Sequence, residues 1–141
     1  MAHLLNTENA IIDEALEQAL EDSPEVKSYV YQQIAEFEPF VTPQTVVAVI
    51  LKDPKKLALQ FEAEGKEVDL ADLDSHYRIS ISLKEGDAKI TAEGLDKDIF
   101  TAIRIAKDKL MKRLAAIQDN VVSQQERNMA IHHATQNTMI H

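Results

Sequence analysis

Hydrophobic and polar residues recur along this chain at two different periods, and the switches between them mark out its elements. Residues 8–21 (Glu-Asn-Ala-Ile-Ile-Asp-Glu-Ala-Leu-Glu-Gln-Ala-Leu-Glu) set Ile12, Leu16, Ala19 and Leu20 at three- and four-residue spacing. That pattern predicts a helix with an acidic outer face and Thr7 as its cap. A second helix is expected from Ser23-Pro24-Glu25, where a capping hydroxyl, a proline at the first helical position and an early carboxylate coincide. Val26, Tyr29, Val30, Ile34 and Phe37 form its apolar stripe. Pro39 ends it, because the residue before a proline is pushed out of the α region.

The period then changes. Val46-Val47-Ala48-Val49-Ile50-Leu51 is a β-branched run that reads as a strand buried on both faces. In the following stretch, Asp53, Pro54 and Gly65 favour a short helix, while the alternation of Leu57, Leu59, Phe61 and Ala63 also suits a strand. Residues 66–75 are acidic and loop-like. Tyr77, Ile79, Ile81 and Leu83 alternate with Arg78, Ser80, Ser82 and Lys84, as in a strand with one buried face. Glu85-Gly86-Asp87 supplies a turn, and Ala88, Ile90 and Ala92 continue the alternation to about Gly94, completing a hairpin. A long helix is predicted over residues 97–118, with Phe100, Ile103, Ala106, Leu110, Leu114 and Ile117 spaced by 3, 3, 4, 4 and 3. Beyond Asn120 the chain is polar, which fits either a helical extension or a mobile tail. No internal repeat is present. The pattern divides into an acidic helical segment at 1–22, an α/β domain at 23–118 and a polar C-terminal extension at 119–141.

Charge changes the picture more than length does. The 141 residues suffice for one domain, and the net charge is −9. The total hides an asymmetry: residues 1–75 hold 5 Lys/Arg and 16 Asp/Glu, whereas residues 76–141 hold 10 Lys/Arg and 8 Asp/Glu. Phosphate affinity depends on where cations cluster, so only the second half is suited to a polyanion. No apolar run reaches the roughly 20 residues of a membrane span. The N-terminus lacks a signal-peptide pattern, and cysteine is absent, which together fit a reducing cytoplasm.

Enzymatic motifs are missing. Three glycines leave no phosphate loop, dinucleotide fingerprint or nucleophile elbow. His132 and His133 diverge by about 100° on a helix and cannot act as a paired metal site. No cofactor, metal or small-molecule substrate is expected. The candidate chemistry lies on the last helix, which carries Lys97, Arg104, Lys107, Lys109, Lys112 and Arg113 against Asp98 and Asp108. Lys97, Arg104 and Lys112 fall in an arc of about 80° opposite the apolar stripe, Lys109 lies about 60° beyond Lys112, and Asp108 sits inside the arc. By itself such a pattern is more often a solvated helix face than an RNA site.

The hairpin and last helix together carry a resemblance. Lys89-Ile90-Thr91-Ala92-Glu93-Gly94, Asp98-Ile99-Phe100-Thr101-Ala102-Ile103, Asp108-Lys109-Leu110 and Leu114 resemble the ribosome hibernation-promoting factor family, also described as ribosome-associated inhibitor, protein Y or sigma-54 modulation protein. Its members show a strand ending in Ala-x-Gly, an acidic pair, Met-Tyr-x-Ala-Ile and Asp-Lys-Leu-x-x-Gln/Arg-Leu. The helix from Ser23 to Phe40 matches at its cap, Val26, Tyr29-Val30, Ile34 and Glu38. The likeness covers roughly residues 20–118. It implies an α+β fold of β-α-β-β-β-α type, a sheet with two helices on one face. Here an acidic helical pattern at 8–21 stands where the family has its first strand, and Tyr31-Gln32-Gln33-Ile34-Ala35-Glu36 replaces a usually basic helix. The resemblance further implies binding to 16S rRNA of the small ribosomal subunit near the decoding region, blocking messenger and transfer RNA sites in non-growing cells. Lys109 and Lys112 match basic family positions; Arg104, Lys107, Arg113 and Lys97 join them by charge and position. The alternative is the same fold without RNA binding, an interaction module whose acidic N-terminal half faces a basic protein partner.

Overall fold

A computed structural model of the chain describes the backbone of residues 10–140 and the side chains of residues 10–120 and Met129. The first element is a strand, β1 (Ala10–Ile12), followed at once by helix α1 (Glu14–Leu20). The single helix expected over 8–21 is therefore divided, and the first strand is retained in shortened form. Asp13 is the dividing residue. Its backbone is extended, its Oδ1 accepts from the Leu16 N–H at 3.0 Å to cap α1, and the same oxygen accepts from the Leu51 N–H at 3.3 Å. A capping aspartate holds its own backbone out of the helix, and β-branched Ile11 and Ile12 gain a sheet partner instead. Thr7, the expected cap, lies outside the described residues.

Helix α2 (Pro24–Ala35) turns Val26, Val30 and Ile34 inward, and Phe37 completes the stripe. Pro24 occupies the first turn as expected, but the Ser23 hydroxyl makes no capping bond. The helix stops at Ala35, and Pro39 falls in a separate 3-10 turn, Glu38–Phe40. Three longer strands follow: β2 (Val46–Lys52), β3 (Tyr77–Glu85) and β4 (Ala88–Asp96). Between β2 and β3 lie a 3-10 turn (Pro54–Leu57) and two short helices, α3 (Ala58–Ala63) and α4 (Leu70–Asp74). Asp53 accepts from the Lys55 N–H at 2.9 Å, so the capping signals outweigh the alternation in this stretch. The loop expected at 66–75 contains α4, because the Asp69 carboxylate accepts from the N–H groups of Ala71 and Asp72 and Leu73 is buried beneath it.

The sheet order is β1-β2-β3-β4, with β1–β2 parallel and the other pairs antiparallel. Register sorts its faces. Val47 pairs with Leu83, Val49 with Ile81, Ile81 with Ala92 and Ile79 with Gly94, and all of these residues are buried. On the other face Val46, Ala48 and Ile50 stay partly exposed. Burial of β2 thus alternates, where its unbroken apolar run predicts cover on both sides. Ser80 and Ser82 are buried as well, although they share the second face with Ala48 and Thr91. At the hairpin turn Glu85 pairs with Ala88 and Gly86 takes a left-handed φ of 59°.

The last helix, α5, spans Ile99–Ile140, so the polar extension beyond Asn120 is helical. Its first turns lie directly on β4. A Cβ on Gly94 would collide with the Ala102 carbonyl and come within 2.7 Å of the Ala106 nitrogen. The rings of Tyr29 and Phe100 meet edge to face at 5.2 Å, setting α2 and α5 side by side on the same face of the sheet. The chain divides between Leu110 and Met111 into two compact units, the first holding the sheet.

Candidate nucleic-acid interface

The cationic helix starts later than its charge pattern predicts. Asp98 caps it, accepting from the Thr101 N–H at 3.2 Å and from the Thr101 hydroxyl at 2.8 Å, while Asp96 accepts from the Asp98 N–H at 2.8 Å. Lys97 therefore precedes the helix and does not share its cationic arc. Its ammonium lies 3.0 Å from the Asp72 carboxylate on α4, and that hydrogen bond holds the Asp72 carboxyl below its usual range.

Lys107 points inward. It is only 9% exposed, with its ammonium 2.9 Å from Glu36 at the end of α2 and 2.8 Å from Asp108. Burial disfavours its charge, but the bonds to Asp108 and Glu36 more than offset this and raise its pKa above the ordinary lysine value. Arg104 is exposed and 3.8 Å from Asp108, one turn along the helix. Asp108 is thus shared between two cations and neutralises part of the basic face. Lys109 is exposed and makes no ion pair among the described residues. In the second unit Lys112 and Arg113 are both exposed. The structure therefore joins Arg104 and Lys107 through Asp108, assigns Lys97 to α4 and leaves Lys109 open to solvent.

The anionic partners Glu36 and Asp72 were not legible as such. The Arg104/Asp108 pair is a four-residue helical spacing visible in the sequence, but Glu36 and Lys107 meet only because α2 and α5 are neighbours. A second ionic cluster lies on the opposite sheet face. Glu93 receives Arg78 Nε at 2.9 Å and Nη2 at 3.2 Å, with Lys52 at 3.0 Å. Burial pushes the Glu93 carboxyl up, but the hydrogen bonds from Arg78 and Lys52 prevail and hold it below its usual range. Among the described residues no group of three or more His, Asp or Glu could hold a metal ion, and no helix is long and apolar enough to cross a membrane.

A four-stranded mixed sheet, with α2 and α5 side by side on one face, defines an α+β domain with solvent-facing cations on its last helix. The sequence model of the sigma 54 modulation protein / S30EA ribosomal protein family matches residues 10–121, and the chain belongs to that family. This is a family of ribosome-associated modulation and hibernation factors, not of enzymes. The match begins at β1, in keeping with a retained first strand. No curated protein sequence matches the chain.

Proposed function

We propose that this protein is a ribosome hibernation factor that docks on small-subunit rRNA near the decoding region through the basic residues of α5, and so acts in the cytoplasm as an inhibitor of translation. The observation that carries this reading is Lys109, exposed and without an ionic partner among the described residues, on the part of α5 that the family match covers. Arg104 in the first unit and Lys112 and Arg113 in the second add cationic groups. Lysine and arginine pairing with phosphate gives affinity that depends steeply on salt and little on base sequence. Lys107 and Lys97, held by Glu36, Asp108 and Asp72, contribute chiefly to the fold.

The test is co-sedimentation of the purified protein with small subunits and whole ribosomes at low and near-physiological salt. The protein is expected to co-migrate with both at low salt, to dissociate as salt rises, and to lose binding in a Lys109→Glu/Lys112→Glu double variant. Absence from every ribosomal fraction at low salt, or undiminished binding by the double variant, would sink the reading.

A further inference from the structure

At the sheet edge opposite β4, β1 and the first two helices form a groove of about 410 Å³, lined by Ile12, Glu17, Leu20, Glu21, Pro24 and Lys27. Leu20 is buried and Ile12 half-buried, and both are apolar, as is Pro24. Glu17 and Glu21 stand one turn apart on the exposed side of α1, with no cationic partner among the described residues. Between Asp13 and Glu25 the chain carries six carboxylates and no Lys or Arg. The groove lining itself sets two carboxylates, Glu17 and Glu21, against one cation, Lys27, so its field remains acidic, repels nucleic acid and concentrates cations.

The groove also borders a main-chain edge that no described strand occupies. The Asp13 N–H donates to the Val49 carbonyl at 3.1 Å, so the two-residue period of a strand turns the N–H and C=O of Ile12 outward, away from β2.

We propose that this groove docks an extended, cationic protein segment in which Lys or Arg alternates with apolar side chains, laid along the outer edge of β1. One face of such a segment meets Ile12, Leu20 and Pro24, its cations reach Glu17 and Glu21, and its backbone bonds to Ile12. A second copy docked groove to groove is disfavoured, because it would set six carboxylates against six. The inference goes beyond ribosomal RNA docking and does not depend on it, since α5 lies over the other edge of the sheet.

The experiment is an amide-shift titration of the isotope-labelled full chain with a synthetic peptide, Lys-Leu-Arg-Leu-Lys-Val-Arg, and with a control in which glutamate replaces each cation. Shifts should concentrate at Ala10, Ile11, Ile12 and the α1–α2 junction, with no response to the control. Binding should weaken by about tenfold in a Glu17→Gln/Glu21→Gln variant, whose circular dichroism should match the parent, and should be unchanged in Lys109→Glu. The proposal is overturned by no titration at low salt, by equal affinity of the glutamine variant, or by shifts spread evenly over the acidic segment 62–74. It is overturned too if sedimentation equilibrium without peptide reveals a dimer that the glutamine variant abolishes, for then a second copy fills the groove. No ribosome is present in these assays, so their failure is distinct from failure of the ribosomal reading.

Discussion

Lys107 and Lys109 sit two positions apart on one helix, carry the same charge and do different work. Lys107 is closed against α2 by Glu36 and Asp108, whereas Lys109 faces water. Replacing Lys107 with Met leaves Glu36 and Asp108 without their shared cation and should lower unfolding free energy by about 1–2 kcal/mol in urea titrations, with ribosome co-sedimentation preserved. Charge counting along the helix treats the two lysines alike, which is why the cationic face read from sequence is larger than the one available to a ligand. Glu93 is a second case in which neighbours set chemistry. Its folded pKa lies below the unfolded value of about 4.3, so its contribution to stability is present above that range and disappears as pH falls through the lower folded value. Glu93→Gln should therefore be less stable than the parent near neutral pH, and the gap should close as the medium is acidified below about pH 4, as followed by denaturant midpoints across pH.

Among the elements, those with sustained periodicity were readable and the short ones were not. The β3–β4 hairpin was legible because residues 77–84 and 88–93 alternate and a glycine turn joins the two strands. Strand β1 spans three residues, too few for any period to register, and its neighbours in sequence form a helix. The Asp13 side chain supplied the missing information, yet its bond to Leu51 depends on a partner far along the chain. The two-faced burial expected of β2 failed for a related reason: an all-apolar run does not reveal that only Val47 and Val49 are fully buried. Close packing of α5 on β4 gives a sharper test. Gly94→Ala adds a methyl group against the Ala102 carbonyl and the Ala106 nitrogen, both backbone atoms that cannot swing aside. A loss of about 3 kcal/mol or more is expected, read as a lowered thermal midpoint, whereas Gly86→Ala in the open hairpin turn should cost about 1 kcal/mol through its left-handed φ alone.

Within the unit that holds the sheet, an acidic stretch and an exposed cation border opposite edges. The acidic stretch from Asp13 to Glu25 borders one edge of the sheet, while Lys109, without an ion pair among the described residues, belongs to the helix whose first turns sit on the other. Under the proposed function, this separation is what would let a chain of net charge −9 approach a polyanion. Total composition conceals it, and only the uneven distribution between the two halves of the sequence hints at it.

The parallel pairing of β1 with β2 also governs how the chain reaches its native state. Ala10 meets Val47 only after the whole intervening excursion through α1 and α2 has been closed, whereas β3 and β4 meet across a two-residue turn. Ordering a long loop before any contact rewards it makes such a pairing late and easily reversed. The hairpin is expected to nucleate folding and β1 to dock last. In native-state hydrogen exchange, the amide of Ile11 should open well below the global unfolding free energy, while those of Ile79 and Ile81 should exchange only when the entire sheet comes apart.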